Sequence, residues 1–409
     1  MSGVLSPKNT RRPSNPFWGD LLRVLFIANG ITSESGTQVI GGGEVRFIEI
    51  AKRWKAKGID VQILTTEAGK ELCEKLGLKA DFHIMSAGVG TFMDYATTFL
   101  RSRLTSPIRD FEGILYSTTE HFYDCAPAFI LRKTSPLWVA VVHWVAPLTR
   151  RMIGAVPSLI FYINQRLGLR YIKSRADLVL AVSEVVAKKL RKMGLNKRIK
   201  TVACGVDYEK IREISSTSVE KCYDAIYMKR FYPTKGIFDA VEIWHYVVEK
   251  KRDAKLLLVG FSPKPILKRV VSLIRERGLE GNITIKGPVY DFEQKILLLR
   301  RSRMLILPSY EENWGIVIGE ALASGIAVIA YDLKDIRPIW GDNVIWCPLG
   351  DRKTFSKEIL RLMNDDDLRE ELGSKGVELM KNYSWDSISN RELLMIQDHL
   401  RRRNPYIDT

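Results

Sequence analysis

The sequence predicts an α/β protein in which two doubly wound domains face each other across a cleft. Three observations carry that expectation. From Leu22 onward, short apolar runs alternate with helical patterns, as in parallel sheets covered on both faces. The alternation runs twice, with a junction near Gly205, Val206 and Asp207. The chain has 409 residues, 46% of them hydrophobic, which is enough for two cores.

Taken in order, residues 1–20 are expected to be a disordered tail, since they carry Lys8, Arg11, Arg12 and three prolines and do not read as a signal peptide. Strands are predicted at 22–28, 59–65, 113–117, 137–143 and 178–183, each a short apolar run. Helices are predicted between them, notably at 44–57 and 184–193. The second half repeats the scheme with strands at 224–229, 255–260, 282–286, 303–307, 326–331 and 343–347. Its helices fall near 236–251, 264–278, 292–300, 315–324 and 353–364. Residues 365–403 read as a charged, solvated helix pair. Ligands of open parallel sheets bind beyond the carboxyl ends of the strands, so the cleft is the expected site.

Composition narrows the function. The longest apolar stretches, such as 136–147, fall short of the roughly 20 residues that a membrane span needs. The five cysteines are scattered and form no CxxC pair, which argues against a disulfide framework or zinc site and for a reducing compartment. The net charge of +16 is unevenly placed. Residues 1–200 hold 30 Lys and Arg against 16 Asp and Glu, whereas residues 201–409 hold 33 against 31. One half therefore faces something anionic. Nucleic acid is a poor candidate, because aromatic residues are not interleaved with the basic ones in a recognised pattern.

The chemistry-bearing residues sit at strand ends. The loop after the first strand leads to GGGE at 41–44, where Gly42 and Gly43 open a helix whose N–H groups suit a phosphate; a flexible turn is the plain alternative. His143 ends the strand LWVAVVH and would point into the cleft, unless it is a satisfied core histidine. His121 holds a similar place after the preceding strand. Arg230 closes another strand, and Lys235 precedes Gly236 at a helix start; two cations so placed suit a diphosphate.

Residues 308–325 (PSYEENWGIVIGEALASG) raise a sharper question. Glu320 lies inside an apolar helix, where a carboxylate costs several kcal/mol unless something hydrogen-bonds it. The vicinal hydroxyls of a ribose would satisfy both its oxygens. Glu312 lies in the preceding loop, and Asn313, Trp314 and Gly315 offer free N–H donors at the helix start. A glycosidase-type carboxylate pair is the competing idea, but nothing marks either residue as an acid of raised pKa.

EENWGIVIGEALASGIAVIA resembles the E-x7-E motif of retaining glycosyltransferases of family 4, which have the GT-B fold. The glycine loop, His143, AVSEVVAKKL (181–190), VACGVDYEKI (202–211), KRFYPTKG (229–236), LLLVGFSP (256–263) and NITIKGPV (282–289) follow in the family's order, and YSWDSIS (383–389) resembles its closing stretch. The resemblance covers roughly residues 22–395. It implies an acceptor-side, Rossmann-like domain at 21–205, a nucleotide-sugar domain at 206–385 and a helix at 386–409 crossing back to the first domain. It further implies catalytic roles for His143, Arg230, Lys235 and Glu312. Gly42, Gly43, Arg230, Lys235, Glu312, Asn313, Trp314, Gly315, Ile316 and Glu320 would hold the nucleotide-sugar donor, with Glu320 on the ribose. No metal or other cofactor is implied. The family usually has Gly where this chain has Lys229, which puts the local backbone geometry in question; Asn is common at Cys204 and Phe at Trp314.

The segment 147–175 reads as a basic amphipathic helix, with Ile160, Ile163, Leu167 and Tyr171 on one face and Tyr162, Arg166, Arg170 and Lys173 on another. Arg150 and Arg151, within this segment, and His121 are assigned to the acceptor side. The expectation is a hexosyltransferase that uses a UDP- or GDP-sugar and serves a lipid-linked saccharide or glycolipid, peripheral on the cytoplasmic face of an anionic membrane. The alternative is a soluble acceptor, such as a glucan or small molecule. An epimerase on the same fold, a nucleic-acid-binding protein and a catalytically dead binding subunit are weaker rivals.

Overall fold

The structure, a computed structural model, describes residues 22–31, 33–34, 37–38, 41–85, 107–146, 155–195 and 198–403. The predicted tail, Arg150 and Arg151 lie outside the described residues. All eleven strands expected from the sequence form, with ends within two residues of the expectation. In the first domain, β1 (Arg23–Ala28), β4 (Asp60–Thr65), β5 (Asp81–Ile84), β6 (Ile114–Ser117), β7 (Leu137–Val142), β8 (Leu178–Ala181) and β9 (Ile199–Thr201) make one parallel sheet in the order β5-β4-β1-β6-β7-β8-β9. In the second, β10 (Tyr223–Met228), β11 (Leu256–Val259), β12 (Ile283–Lys286), β13 (Ser302–Leu307), β14 (Ala327–Tyr331) and β15 (Ile345–Cys347) run β12-β11-β10-β13-β14-β15, also parallel. A small antiparallel hairpin, β2 (Ser33–Glu34) and β3 (Thr37–Gln38), follows β1.

Both orders are doubly wound, and each reverses direction between its first and fourth strands, so a crevice opens beyond the carboxyl ends of β1 and β6 and of β10 and β13. The chain segments leaving those ends are the ones that carry the sequence motifs. β7 is buried at all six positions, which explains its unbroken apolar run. β5 and β9 were not expected. They are edge strands of four and three residues, partly exposed, with no apolar run to mark them.

Two expectations about helices need correction. The stretch 365–403 is indeed two helices, Asp366–Met380 and Trp385–Arg403, but neither is merely solvated. The first buries Leu372, Gly373, Gly376 and Met380, and the second buries Ile388, Ser389, Glu392, Ile396 and Leu400. The helix Ala155–Arg175 turns inward not its aliphatic face but Asn164, Gln165, Gly168, Leu169 and Ile172, leaving Leu159 and Ile163 exposed. Gly168 permits this, because a Cβ there would stand 2.1 Å from the Glu120 carbonyl oxygen.

The domains are joined where Val206 bridges to Ser384, with Val206 N donating to Tyr383 O and Trp385 N to Val206 O. From there the last helix runs onto the first domain. Glu392, fully buried, accepts from Arg46 Nη2 at 2.5 Å and from the Tyr116 hydroxyl, and Arg46 Nη1 donates to Tyr116 Oη at 2.9 Å. Trp54 Nε1 adds a bond to Ser389 O at 3.1 Å. Burial works against the Arg46 charge, but Glu392 and Tyr116 outweigh it and raise the guanidinium pKa above its usual range.

Removing one partner of a buried ion pair strands the other charge. Glu392→Ala is therefore expected to cost about 3–5 kcal/mol, read as a lower thermal midpoint. The double variant Arg46→Met, Glu392→Leu should recover most of that loss. A midpoint unmoved by Glu392→Ala would contradict the role of the pair.

Candidate active site in the cleft

Beyond β10 the chain places Lys229 and Arg230, then a single 3-10 turn, Pro233–Lys235, closed by Gly236. Gly236 has φ +72, and a Cβ there would meet the Pro308 carbonyl oxygen at 1.7 Å, so only glycine lets this turn pack on the end of β13. That packing brings Lys235 to the loop after β13. Its Nζ donates to Glu311 O at 2.7 Å and to Glu312 Oε1 at 3.2 Å. Lys229 Nζ reaches the other carboxylate oxygen, Glu312 Oε2, at 3.1 Å. Burial alone would raise the Glu312 carboxyl, but the two ammonium groups outweigh it and hold the pKa at about 2. Burial also lowers the Lys235 ammonium from its usual value, against the pull of Glu312. Arg230 lies with Cζ 5.5 Å from the Tyr232 ring centre and has no carboxylate partner among the described residues. Lys229, read from the sequence only as a departure, leaves the strand end regular: its N–H donates to Val259 O at 3.0 Å.

The helix Ile316–Ala323 starts at Gly315, next to Trp314, which is buried against Trp340 and accepts from Trp340 Nε1 through its carbonyl at 2.8 Å. Asn313 is half-buried in the same turn. Glu320 is 5% exposed, and its Oε1 accepts from Lys295 Nζ at 2.5 Å. The cost of that carboxylate is thus met within the protein by an ammonium group from the helix Phe292–Arg300. The space saved at Gly319 is taken by Met380, Val206 and Trp314, each within 3.1 Å of where a Cβ would lie, so it serves packing between elements.

Across the cleft, the helix Gly42–Ala56 begins at the glycine loop, and Glu44 accepts from Gly41 N at 2.8 Å. A Cβ on Gly42 would lie 3.3 Å from Ile316 Cδ1, and one on Gly43 would lie 3.4 Å from His143 Nε2. The glycine loop therefore touches both the second domain's helix start and His143. His143 Nε2 bonds the Thr118 carbonyl at 3.0 Å, so it is the donor and Nδ1 keeps its lone pair. Burial first, then Arg46, pushes the imidazole down to about 3, and it is neutral at pH 7. Its backbone N–H donates to Glu120 Oε2 at 2.9 Å, and Gln165 Nε2 donates to Glu120 Oε1 at 2.8 Å. Burial raises the Glu120 carboxyl to about 7, against those hydrogen bonds. Sequence reasoning missed Glu120, Gln165, Lys295 and the ion pair of Lys229; none has a local pattern, and each acts through a partner distant in the chain. His121 is packed between Tyr123 and Phe161 and lines neither cavity described next.

Two adjoining cavities lie in the cleft. The larger, 670 Å³, is lined by Gly260, Val289, Tyr290, Lys295 and Glu320 among others, and receives Val45, Glu49 and Lys75 from the first domain. Lys75 Nζ lies 3.8 Å from the Tyr290 ring centre, across the mouth. The smaller, 290 Å³, is lined by Gly42, Gly43, His143, Lys235, Glu312 and Ile316 among others. Met228, Lys229 and Arg230 border both. Among the described residues no cluster of His, Cys, Asp or Glu is arranged to hold a metal ion.

Two family models match the chain side by side: "Glycosyltransferase Family 4" over residues 40–210 and "Glycosyl transferases group 1" over residues 207–378. The chain is a group 1, family 4 glycosyltransferase. Its two parallel sheets are those of the GT-B fold, and it is an enzyme of the hexosyltransferase class. This glycosyltransferase is similar to the N-acetyl-alpha-D-glucosaminyl L-malate synthase of Bacillus anthracis, at 27% identity over 83% of this chain and 89% of that one. It is 28% identical to the phosphatidyl-myo-inositol mannosyltransferase of Mycobacterium leprae, over 39% of this chain and 42% of that one. Among solved structures it resembles Anabaena HepE in complex with UDP, with a TM-score of 0.68 and 18% identity over 92% of this chain and all of that one.

Proposed function

We propose that this glycosyltransferase moves a sugar, with retention of anomeric configuration, from a UDP- or GDP-sugar to a membrane-associated, lipid-linked saccharide or glycolipid. One observation carries the reading: the order of groups along the cleft. Glu320 lies in the larger cavity, the cations Lys229 and Arg230 border both, and Lys235, Glu312 and His143 lie in the smaller. A nucleoside diphosphate sugar has its parts in that same order. The UDP in the HepE complex supports a nucleotide of this class.

In this scheme Glu320 accepts from the ribose hydroxyls, and the glycine loop at Gly42 and Gly43 lies against the diphosphate. Glu312, Asn313 and the backbone of Trp314, Gly315 and Ile316 hold the sugar and its phosphate. His143, neutral and carrying a lone pair on Nδ1, accepts from a sugar hydroxyl. The bond from the anomeric carbon to the diphosphate oxygen breaks, and its electron pair leaves on the diphosphate, where Arg230 and Lys235 stabilise the charge. The acceptor oxygen forms the new glycosidic bond, and its proton passes to the departing phosphate oxygen. No protein nucleophile is assigned. Glu312, tied to two ammonium groups and ionised above about pH 2, suits neither a nucleophile nor a general acid. The cations supply the positive charge at the diphosphate, so the scheme contains no metal.

Calorimetry with UDP and GDP in EDTA tests the donor side. Glu320→Ala removes a charge-assisted hydrogen bond, so nucleotide affinity is expected to fall by about 10- to 100-fold. Equal affinity of wild type and variant would overturn the assignment.

The acceptor reading rests on the helix Ala155–Arg175, which exposes Leu159 and Ile163 one helical turn apart, with Arg170 and Lys173 also exposed. No described helix is long and apolar enough to cross a membrane. An exposed apolar pair beside cations suits the surface of an anionic bilayer on its cytoplasmic face. The similarity to a phosphatidyl-myo-inositol mannosyltransferase supports an acceptor anchored in lipid. Liposomes containing phosphatidylserine should bind the wild type and lose Leu159→Ser, Ile163→Ser and Arg170→Gln combined. Wild type that ignores such liposomes would favour a soluble acceptor, as the malate synthase similarity does.

A further inference from the structure

The site holds one cation more than its carboxylates require. Glu312 has a counter-ion in Lys235, whose Nζ lies 3.2 Å from Oε1 and is anchored by the Glu311 carbonyl at 2.7 Å. Glu320 has Lys295 at 2.5 Å. Lys229 adds a second ammonium to Glu312, at 3.1 Å from Oε2, and Arg230 beside it has no carboxylate partner among the described residues. Lys229, Arg230 and Lys235 thus stand in and beside the smaller cavity against the carboxylates of Glu312 and of Glu311, which also acts on Lys235, an excess of one positive charge when His143 is neutral. Unbalanced charge in a partly buried site is unfavourable unless an anion enters.

Position says where that anion lies. Of the residues named as lining the two cavities, only Met228, Lys229 and Arg230 border both. A donor with its ribose at Glu320 and its sugar beside His143 must pass its diphosphate between the cavities, along this short stretch.

Resting on the donor reading above, we infer that Lys229 is a third diphosphate-binding cation, a residue that turns from Glu312 to a phosphate oxygen when the donor enters. Its ammonium stands with Arg230 at the border of the two cavities and with Lys235 beside it, along the passage that the two negative charges of a nucleoside diphosphate sugar must take. Glu312 keeps Lys235 and stays ionised. Where the motif carries glycine in place of Lys229, that positive charge is absent.

The test is calorimetric binding of UDP and GDP, of UMP and GMP, and of the free nucleosides to wild type, Lys229→Gln and Lys229→Arg, with thermal midpoints confirming that each variant is folded. Lys229→Gln is expected to weaken the diphosphates by about 10- to 100-fold, to leave the nucleosides within twofold, and to be largely rescued by Lys229→Arg. Diphosphate affinity within twofold of wild type in a folded Lys229→Gln would overturn the inference and leave Lys229 as a tether for Glu312. If no nucleotide binds the wild type at all, the donor reading itself falls, and this assignment with it.

Discussion

The buried pair of Arg46 and Glu392 fixes where everything else in the cleft sits. Arg46 belongs to the helix that starts at the glycine loop, and Glu392 to the helix that leaves the second domain at Ser384. Tyr116, on β6, bonds both and so ties the first sheet to the same point. Three elements from distant parts of the chain share two charges and one hydroxyl in a buried interior. Such a cluster is costly if any member is missing, which makes it a device for specifying one arrangement of the two domains. That arrangement is what brings Gly42 to Ile316, and with it the two cavities into register.

The donor site follows a second constraint, the balance of charge at the ends of β10 and β13. The sheet order puts these strands side by side at the reversal point, so a lysine after one and a glutamate after the other meet without a long loop. Gly236 makes the approach possible by admitting the Pro308 carbonyl where a side chain would stand. Burial then gives each charge its force: Glu312 is held ionised far below the usual carboxylate range, and His143 is held neutral. The site is a fixed set of donors and charges aimed along a passage, which is how electrostatic preorganisation serves a departing anion.

Much of this was legible in the sequence, and the exceptions share a cause. The parallel strands stood out because burial on both faces demands unbroken apolar runs, as in LWVAVVH. Glu320 stood out because a carboxylate interrupts an apolar helix. What periodicity could not show was partnership across the chain. Lys295 is one lysine among many until the fold sets it 2.5 Å from Glu320. Lys229 reads as a departure until Glu312, 83 residues on, is seen to bind it. The helix Ala155–Arg175 misled for a related reason: its inward residues include Asn164 and Gln165, whose polarity resembles a surface but which bond the Phe122 N–H and Glu120 in the loops beyond β6. Polar residues that staple two elements look the same, in one dimension, as polar residues that face water.

The central claim is that one nucleoside diphosphate spans both cavities with its phosphates at the passage between them. A crystal structure of this protein with UDP tests it most directly. The account requires the ribose hydroxyls on the Glu320 carboxylate and the diphosphate within hydrogen-bonding distance of Lys229, Arg230 and Lys235, with the terminal phosphate facing His143. UDP bound with its ribose away from Glu320, or with its phosphates directed away from the smaller cavity, would contradict it.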